Sequence, residues 1–247
     1  MKDNSCLWGY HPVYEALRAR RRKVQTLHMV LEKIRPREEE LMRIARQLGV
    51  HIKGTSPQQL NAMVGHRRHQ GICAQVSPYP LSSLQDILER AESSARAPFI
   101  LVLDQIVDPQ NFGAIVRTAH CAGIHGIIAP KNHSSPPSAS VCKASAGALE
   151  HMAVAYVTNL VEALKHMKQR QIWIAGADQN SPDKIFRSDF TGPLAIVIGG
   201  EEKGIRPLVK KQCDFLVSVP QSGAIGSLNA SAAAAVVLYE AFRQRQL

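Results

Sequence analysis

Apolar positions recur along the chain in two rhythms, and the arrangement changes near residue 77. Over 10–23, Val13, Ala16 and Leu17 fall at helical spacing, and the segment ends in the basic run Arg18 to Lys23. Val24–Leu31 has the length and composition of a strand. Pro36–Leu48 places Leu41, Ile44, Ala45 and Leu48 on one helical face. Val50–Lys53 predicts a short strand, Pro57–Val64 a helix with proline at its first position, and Gly71–Val76 a last strand. Together they predict a small α/β domain over 1–77. Ser77-Pro78-Tyr79-Pro80 cannot continue a ladder, because proline has no N–H to donate. Residues 78–98, with a short helix at Leu81–Ala91, therefore read as a linker.

From Phe99 onward strand, loop and helix repeat. Phe99–Asp104, Gly126–Ala129, Met152–Val157, Ile172–Ala177, Leu194–Ile198 and Phe215–Val219 predict strands. Helices are expected near Phe112–Ala122, Ser140–Ala146, Leu160–Gln169 and Leu228–Arg243. This alternation predicts an α/β domain over 99–247 with a parallel sheet covered on both faces. Ligands of such sheets bind beyond the carboxyl ends of the strands.

Composition narrows the picture. The longest apolar runs are too short to cross a bilayer, and Met1–Tyr10 lacks the cationic patch and apolar core of a signal peptide. A soluble, cytoplasmic protein without membrane contact is expected. The five cysteines are odd in number and contain no CxxC pair, which argues against a disulfide framework and a zinc site. His66 and His69 lie in a basic run without partner ligands, so no metal is expected. The net charge is +10, unevenly spread: residues 1–77 carry 14 Lys/Arg against 6 Asp/Glu, and residues 78–247 carry 16 against 14. A polyanionic partner met by the first third fits that split. Aromatic residues make up only 5%, so no stacking platform for bases stands out.

The common cofactor signatures are missing. No GxGxxG follows Phe99–Asp104, and the chain has no GxxxxGK[ST]. Three loops after strands carry the candidate chemistry instead. In the first, Asp108-Pro109 sets a turn, Asn111 suits a helix N-cap before Phe112, and Arg117 follows on the second turn. In the second, Gly199 and Gly200 directly follow a buried strand and allow close backbone approach to a ligand. The third, Val219 to Ser231, is rich in small residues and feeds an alanine-rich helix, with Asn229 placed to cap it. Taken alone, each has a plain structural reading: a cap, a tight turn, a flexible loop.

In this order, however, the three loops resemble the SpoU (TrmH-like) family of RNA ribose 2′-O-methyltransferases, in the SPOUT superfamily. The carriers are Asn111, Gly113 and Arg117-Thr118-Ala119; then Gly199, Glu201 and Gly204; then Pro220, Ser227-Leu228-Asn229 and Ser231. Ser145-Ala146-Gly147-Ala148 is similar too, as are Gly9-Tyr10-His11-Pro12-Val13 and His69-Gln70-Gly71-Ile72 in the first third, where the family has a substrate-binding domain. Glu202 and Gln221 depart from the usual Gly and Met. The resemblance implies a parallel sheet with a C-terminal trefoil knot, preceded by a small α/β substrate-binding domain. It implies S-adenosylmethionine held by the backbones at Gly199, Val219 and Leu228. It implies a catalytic set of Asn111, Arg117, Glu201, Ser227 and Asn229, no metal, and a homodimer with its active site near the subunit interface. Arg117 would bind the target phosphate and position the hydroxyl, with Asn111 and Glu201 orienting it and the cofactor. Ser227 and Asn229 would bond to RNA or to the loop. The proton acceptor stays open between a phosphate and a transiently neutral guanidine. The expected substrate is a guanosine in large-subunit ribosomal RNA. The alternatives are ribose methylation of transfer RNA and a catalytically silent RNA-binding protein of the same fold.

Overall fold

The computed structural model describes residues 6–32, 34–223 and 226–246. The first five residues of the expected N-terminal domain, and Ala224 and Ile225 of the third loop, lie outside the described residues. By packing, the chain divides into two compact units: 1–80 with 136–151, and 81–135 with 152–247.

The first unit is built on a four-stranded sheet in the order β1-β4-β2-β3, with β1 Cys6–Trp8, β2 Val24–Met29, β3 His51–Gly54 and β4 Ile72–Val76. β4 runs antiparallel to β1 and β2, while β2 and β3 are parallel. Helices α1 Tyr10–Ala19, α2 Pro36–Gln47 and α3 Pro57–Val64 supply the buried side chains Val13, Leu17, Leu41 and Leu60. Pro36 and Pro57 start their helices where a missing N–H costs nothing, and Ser56 caps α3 at the Gln59 amide. A disulfide joins Cys6 to Cys73, which corrects the expectation that the cysteines stay unpaired. The two lie on adjacent antiparallel strands, Cys73 standing opposite Trp8, a proximity that spacing in the sequence does not reveal.

The contiguous division at 78–98 is corrected in two places. Residues 81–98 are not a linker, because α4 Leu84–Glu92 buries Ile87, Leu88 and Ala91 in the core of the second unit. Residues 136–151 pack with the first unit through α6 Ala139–Ala144 and a short 3-10 turn, Ala148–His151. A buried ion pair is among the contacts that join this segment to the first unit. The Arg22 guanidinium meets the Glu150 carboxylate through two hydrogen bonds, Nε at 2.8 Å, and both side chains are almost fully enclosed. The Arg22 guanidinium also lies over the Tyr79 ring, and burial pushes the Tyr79 hydroxyl well above its usual pKa. Of the basic run expected to face a polyanion, Arg22 therefore belongs to the interior, while Arg18, Arg20 and Lys23 are exposed.

The second unit holds six parallel strands in the order β10-β8-β9-β5-β6-β7. They are β5 Phe99–Asp104, β6 Gly126–Pro130, β7 Val154–Val157, β8 Trp173–Ala177, β9 Leu194–Gly199 and β10 Phe215–Val217. On one face, α4, α7 Leu160–Gln169 and the short α8 Pro207–Lys210 pack with Ile100, Val102, Ile174 and Val197. α5 Pro109–Cys121 and α9 Ala230–Arg245 pack against each other, and α9 also meets β8 and β9. Among the described residues no helix is long and apolar enough to cross a membrane, and no cluster of His, Cys, Asp and Glu could hold a metal.

The start of α5 differs from the expected one by a turn. Asp108 caps it, accepting from the Gln110 amide at 3.1 Å and the Asn111 amide at 3.3 Å, with Pro109 as the first helical residue. Asn111 lies inside the first turn, so its side chain is spared for other partners.

Two measurements check these assignments. Glu150→Gln should cost the first unit about 3–5 kcal/mol, because a buried guanidinium loses its counter-charge. Most of that should return when Arg22→Met is added to Glu150→Leu. Urea unfolding followed through Trp8, in a Trp173→Phe background, reads this unit alone. On α5, Asp108→Ala should lower the protection of the helix amides from hydrogen exchange by about 0.5–2 kcal/mol. Asn111→Ala should leave that protection close to wild type.

Candidate active site

Three loops at the carboxyl ends of β5, β9 and β10 bring their polar side chains together. Asn111, in the first turn of α5, donates through Nδ2 to Glu201 Oε1 in the loop after β9. Asn229, at the entry to α9, donates through Nδ2 to Asn111 Oδ1 at 3.1 Å and to Glu201 Oε1 at 3.3 Å. Asn229 Oδ1 meanwhile caps α9, accepting from the Ser231 amide at 2.9 Å and the Ser231 hydroxyl at 2.6 Å. One asparagine thus fixes a helix start and joins the two other loops. Glu201 accepts from two amides and keeps its second oxygen for another donor.

The β9 loop is held tightly against its surroundings. Asp104, the last residue of β5, is fully buried and accepts from the Arg206 amide at 2.8 Å and Arg206 Nε at 2.7 Å. Gly204 N donates to Gly200 O at 2.9 Å and closes the loop on itself. Neither glycine at its start tolerates a side chain. A Cβ on Gly199 would overlap the Gly204 backbone, and one on Gly200 would lie 2.7 Å from Gln105 O.

A cavity of about 260 Å³ opens beside this cluster. Gly199, Glu201, Val219, Ser227 and Leu228 all line it, over a floor that includes Ile198, Ile205 and Val217. Asp178 and Lys210, a salt-bridged pair, stand at its rim. A slot lined by both apolar and charged side chains and by loop backbone suits a nucleoside carrying a charged amino-acid tail, which is the chemistry of S-adenosylmethionine. The residues present therefore fit that cofactor.

Of the residues singled out in the sequence, Asn111, Glu201 and Asn229 are hydrogen-bonded to one another. Gly199, Val219, Ser227 and Leu228 share the cavity with Glu201. Arg117 stands apart. It is exposed on α5, and neither Asn111 nor Glu201 bonds to it. Six residues along a helix turn it about 120° away from Asn111. Sequence reasoning missed Asp104 and Arg206, which hold the β9 loop, and Asp178 and Lys210 on the rim. The signal for the first pair was present in an acid ending an otherwise apolar strand.

Comparison with known proteins identifies the family. Residues 98–239 match the SpoU rRNA Methylase family, and residues 6–82 match the RNA 2′-O ribose methyltransferase substrate-binding domain. A Bacillus subtilis protein named a putative TrmH family tRNA/rRNA methyltransferase is 40% identical, over 96% of this chain and 94% of its own. A Ralstonia nicotianae 23S rRNA (guanosine-2′-O-)-methyltransferase is 36% identical, over 100% of this chain and 98% of its own. Among solved structures, the SpoU methyltransferase AviRb of Streptomyces viridochromogenes, in complex with the cofactor AdoMet, superimposes with a TM-score of 0.81 at 27% identity, covering 98% of this chain and 90% of that one. With a family match across most of its length and relatives aligned from end to end, the chain belongs to the SpoU rRNA methylase family.

Proposed function

We propose that the protein transfers the methyl group of S-adenosylmethionine to the ribose 2′-hydroxyl of a guanosine in large-subunit ribosomal RNA. The observation that carries this reading is the Asn111–Glu201–Asn229 cluster at the edge of the cavity lined by Gly199, Val219 and Leu228. It gives a fixed set of amide and carboxylate groups beside a slot of the right chemistry for the cofactor. The choice of guanosine in large-subunit RNA rests on the named activity of the Ralstonia relative.

The backbones at Gly199, Val219 and Leu228 would hold the cofactor, which supplies an electrophilic methyl group on a sulfonium sulfur. Glu201, already fixed by two amides, would orient a donor in the cavity through its second oxygen. A ribose hydroxyl is a weak nucleophile and sheds its proton as it attacks. Arg117 would bind the neighbouring phosphate in its planar fork and hold the hydroxyl in line. Positioning of this kind can supply up to roughly 7–11 kcal/mol of the barrier.

Arg117 points away from the cluster within its own chain, and a homodimer would supply it from the partner subunit. Ala232, Val236 and Tyr239 form an exposed apolar stripe along α9, Val236 and Tyr239 being 37% and 49% exposed, and they suit such an interface. The C-terminal segment leading into α9 is proposed to form the trefoil knot of the family. Residues 1–77 are proposed as the RNA-selecting domain, and the protein is proposed to act in the cytoplasm.

Purified protein should move labelled methyl from S-adenosylmethionine to large-subunit ribosomal RNA in the presence of EDTA, and the label should map to a guanosine 2′-oxygen. Label on transfer RNA instead, or on a base atom, would reject the assignment. Arg117→Ala should cut turnover at least 100-fold, in the range for loss of a positioned charge. Its cofactor affinity by calorimetry should stay near wild type, and Arg117→Lys should not restore turnover. Reversing charge at Arg20, Lys23, Arg67 and Arg68 should weaken RNA binding without changing cofactor binding. The slope of log affinity against log salt should flatten by roughly 0.7–0.9 for each phosphate that is no longer neutralised.

A further inference from the structure

A second cavity, of about 300 Å³, lies on the other side of the β9 loop. Its walls come from that loop, from the residues after β5, and from the loop after β6. It shares Asn111 and Glu201 with the cluster described above but contains none of Gly199, Val219 or Leu228. Its volume is at the low end for small-ligand sites, which run from about 300 to 1,000 Å³. One nucleoside is the natural size of occupant.

Two features set this cavity apart from a chance groove. The first is its backbone. Gln105 and His133, which line the cavity from two different loops, both have positive φ, 64° and 58°. Glycine adopts that region without penalty, and a side chain there persists only where its surroundings impose it. The surroundings here do. Asp104 before Gln105 is locked by Arg206, and Ile106 after it accepts from the Ser135 amide at 2.8 Å. The same bond ties down the loop carrying His133, whose Ser135 carbonyl also accepts from the Tyr156 hydroxyl. The chain thus holds two polar side chains in a costly backbone state at one opening. Neither side chain has a hydrogen-bond partner among the described residues.

The second feature is charge. Asp108, Glu201 and Glu202 line the cavity against a single cation, Lys203. A carboxylate-rich wall repels phosphate and attracts N–H donors. Among the bases of RNA, guanine presents two adjacent donors on one edge, N1–H and the 2-amino group, with the acceptor O6 beside them. Adenine offers one donor next to an unprotonated nitrogen. A base swung out of its stack is read on that edge.

We propose that this cavity seats the base of the target nucleotide, guanine, with N1–H and the 2-amino group toward the carboxylates and O6 toward His133 and Gln105. The ribose would then lie at Asn111 and Glu201, between the base and the cofactor slot. The proposal rests on the methyltransferase reading above and assigns to His133 and Gln105 a role in specificity outside the cofactor site.

Glycine is the informative substitution, because it removes the side chain and keeps the positive φ. His133→Gly and Gln105→Gly should fold at least as well as wild type. Each should raise the KM for an rRNA transcript roughly 2- to 12-fold, the range for one missing hydrogen bond, with the Kd for S-adenosylmethionine by calorimetry unchanged. Wild type should prefer the transcript carrying guanosine at the mapped position over one carrying inosine, and inosine over adenosine. The glycine variants should compress that preference. If wild type methylates all three transcripts alike and the variants match it in KM, the cavity does not hold the base, while the methyltransferase reading stands. If wild type transfers no methyl to ribosomal RNA at all, both fall.

Discussion

The site depends on one buried carboxylate. Asp104 ends β5 inside the protein and spends both oxygens on Arg206, one on its amide and one on its guanidinium. That grip fixes the far end of the β9 loop to the strand beside it. With the loop's end fixed, Gly199 and Gly200 can press against Gly204 and Gln105, and Glu201 reaches Asn111 and Asn229 without further adjustment. A buried carboxylate left without its partner is costly, so the loop has little freedom to leave this position. Preorganisation at the surface is here inherited from an ion pair one layer below it.

The same economy of groups runs through the site. Asp108 takes over the cap of α5 and releases the Asn111 amide. Asn229 caps α9 with its oxygen and bonds across to two other loops with its nitrogen. Of the two amide donors on Glu201, Asn229 is tied at its other end to the start of α9 and Asn111 accepts from Asn229. Moving Asn229 would cost a cap as well as two hydrogen bonds, which holds the three segments in a single arrangement.

Much of this was legible in the sequence, and the exceptions have physical causes. Phe99–Asp104 reads as a strand and is one, because continuous apolar residues in a doubly covered parallel sheet leave little ambiguity. The three loops could be picked out because glycine, proline and asparagine have few other reasons to cluster there. β1 was not legible, since three residues carry no periodicity. The cap of α5 is ambiguous in the sequence because Asp108 and Asn111 are equally good caps, and only Pro109 tips the choice toward Asp108. α4 reads as part of a linker because it follows Pro78 and Pro80, although Ile87, Leu88 and Ala91 mark an apolar face. Arg22 looked like one more surface cation, since its partner Glu150 lies 128 residues away. The missed features are long-range pairings, which local pattern cannot carry.

The excursion of residues 136–151 has a consequence for how the protein is made. The first unit begins at the start of the chain, yet its interior is complete only when Glu150 is available to Arg22. On the ribosome, roughly 5–20 residues emerge each second, and domains tend to fold in order of appearance. This one cannot finish in turn. Its sheet can assemble early, but a bare guanidinium must wait in its interior until the first strands of the second unit have also been translated. Birth order and folding order are thereby separated, and neither unit can be removed as a cassette without breaking the chain at more than one point.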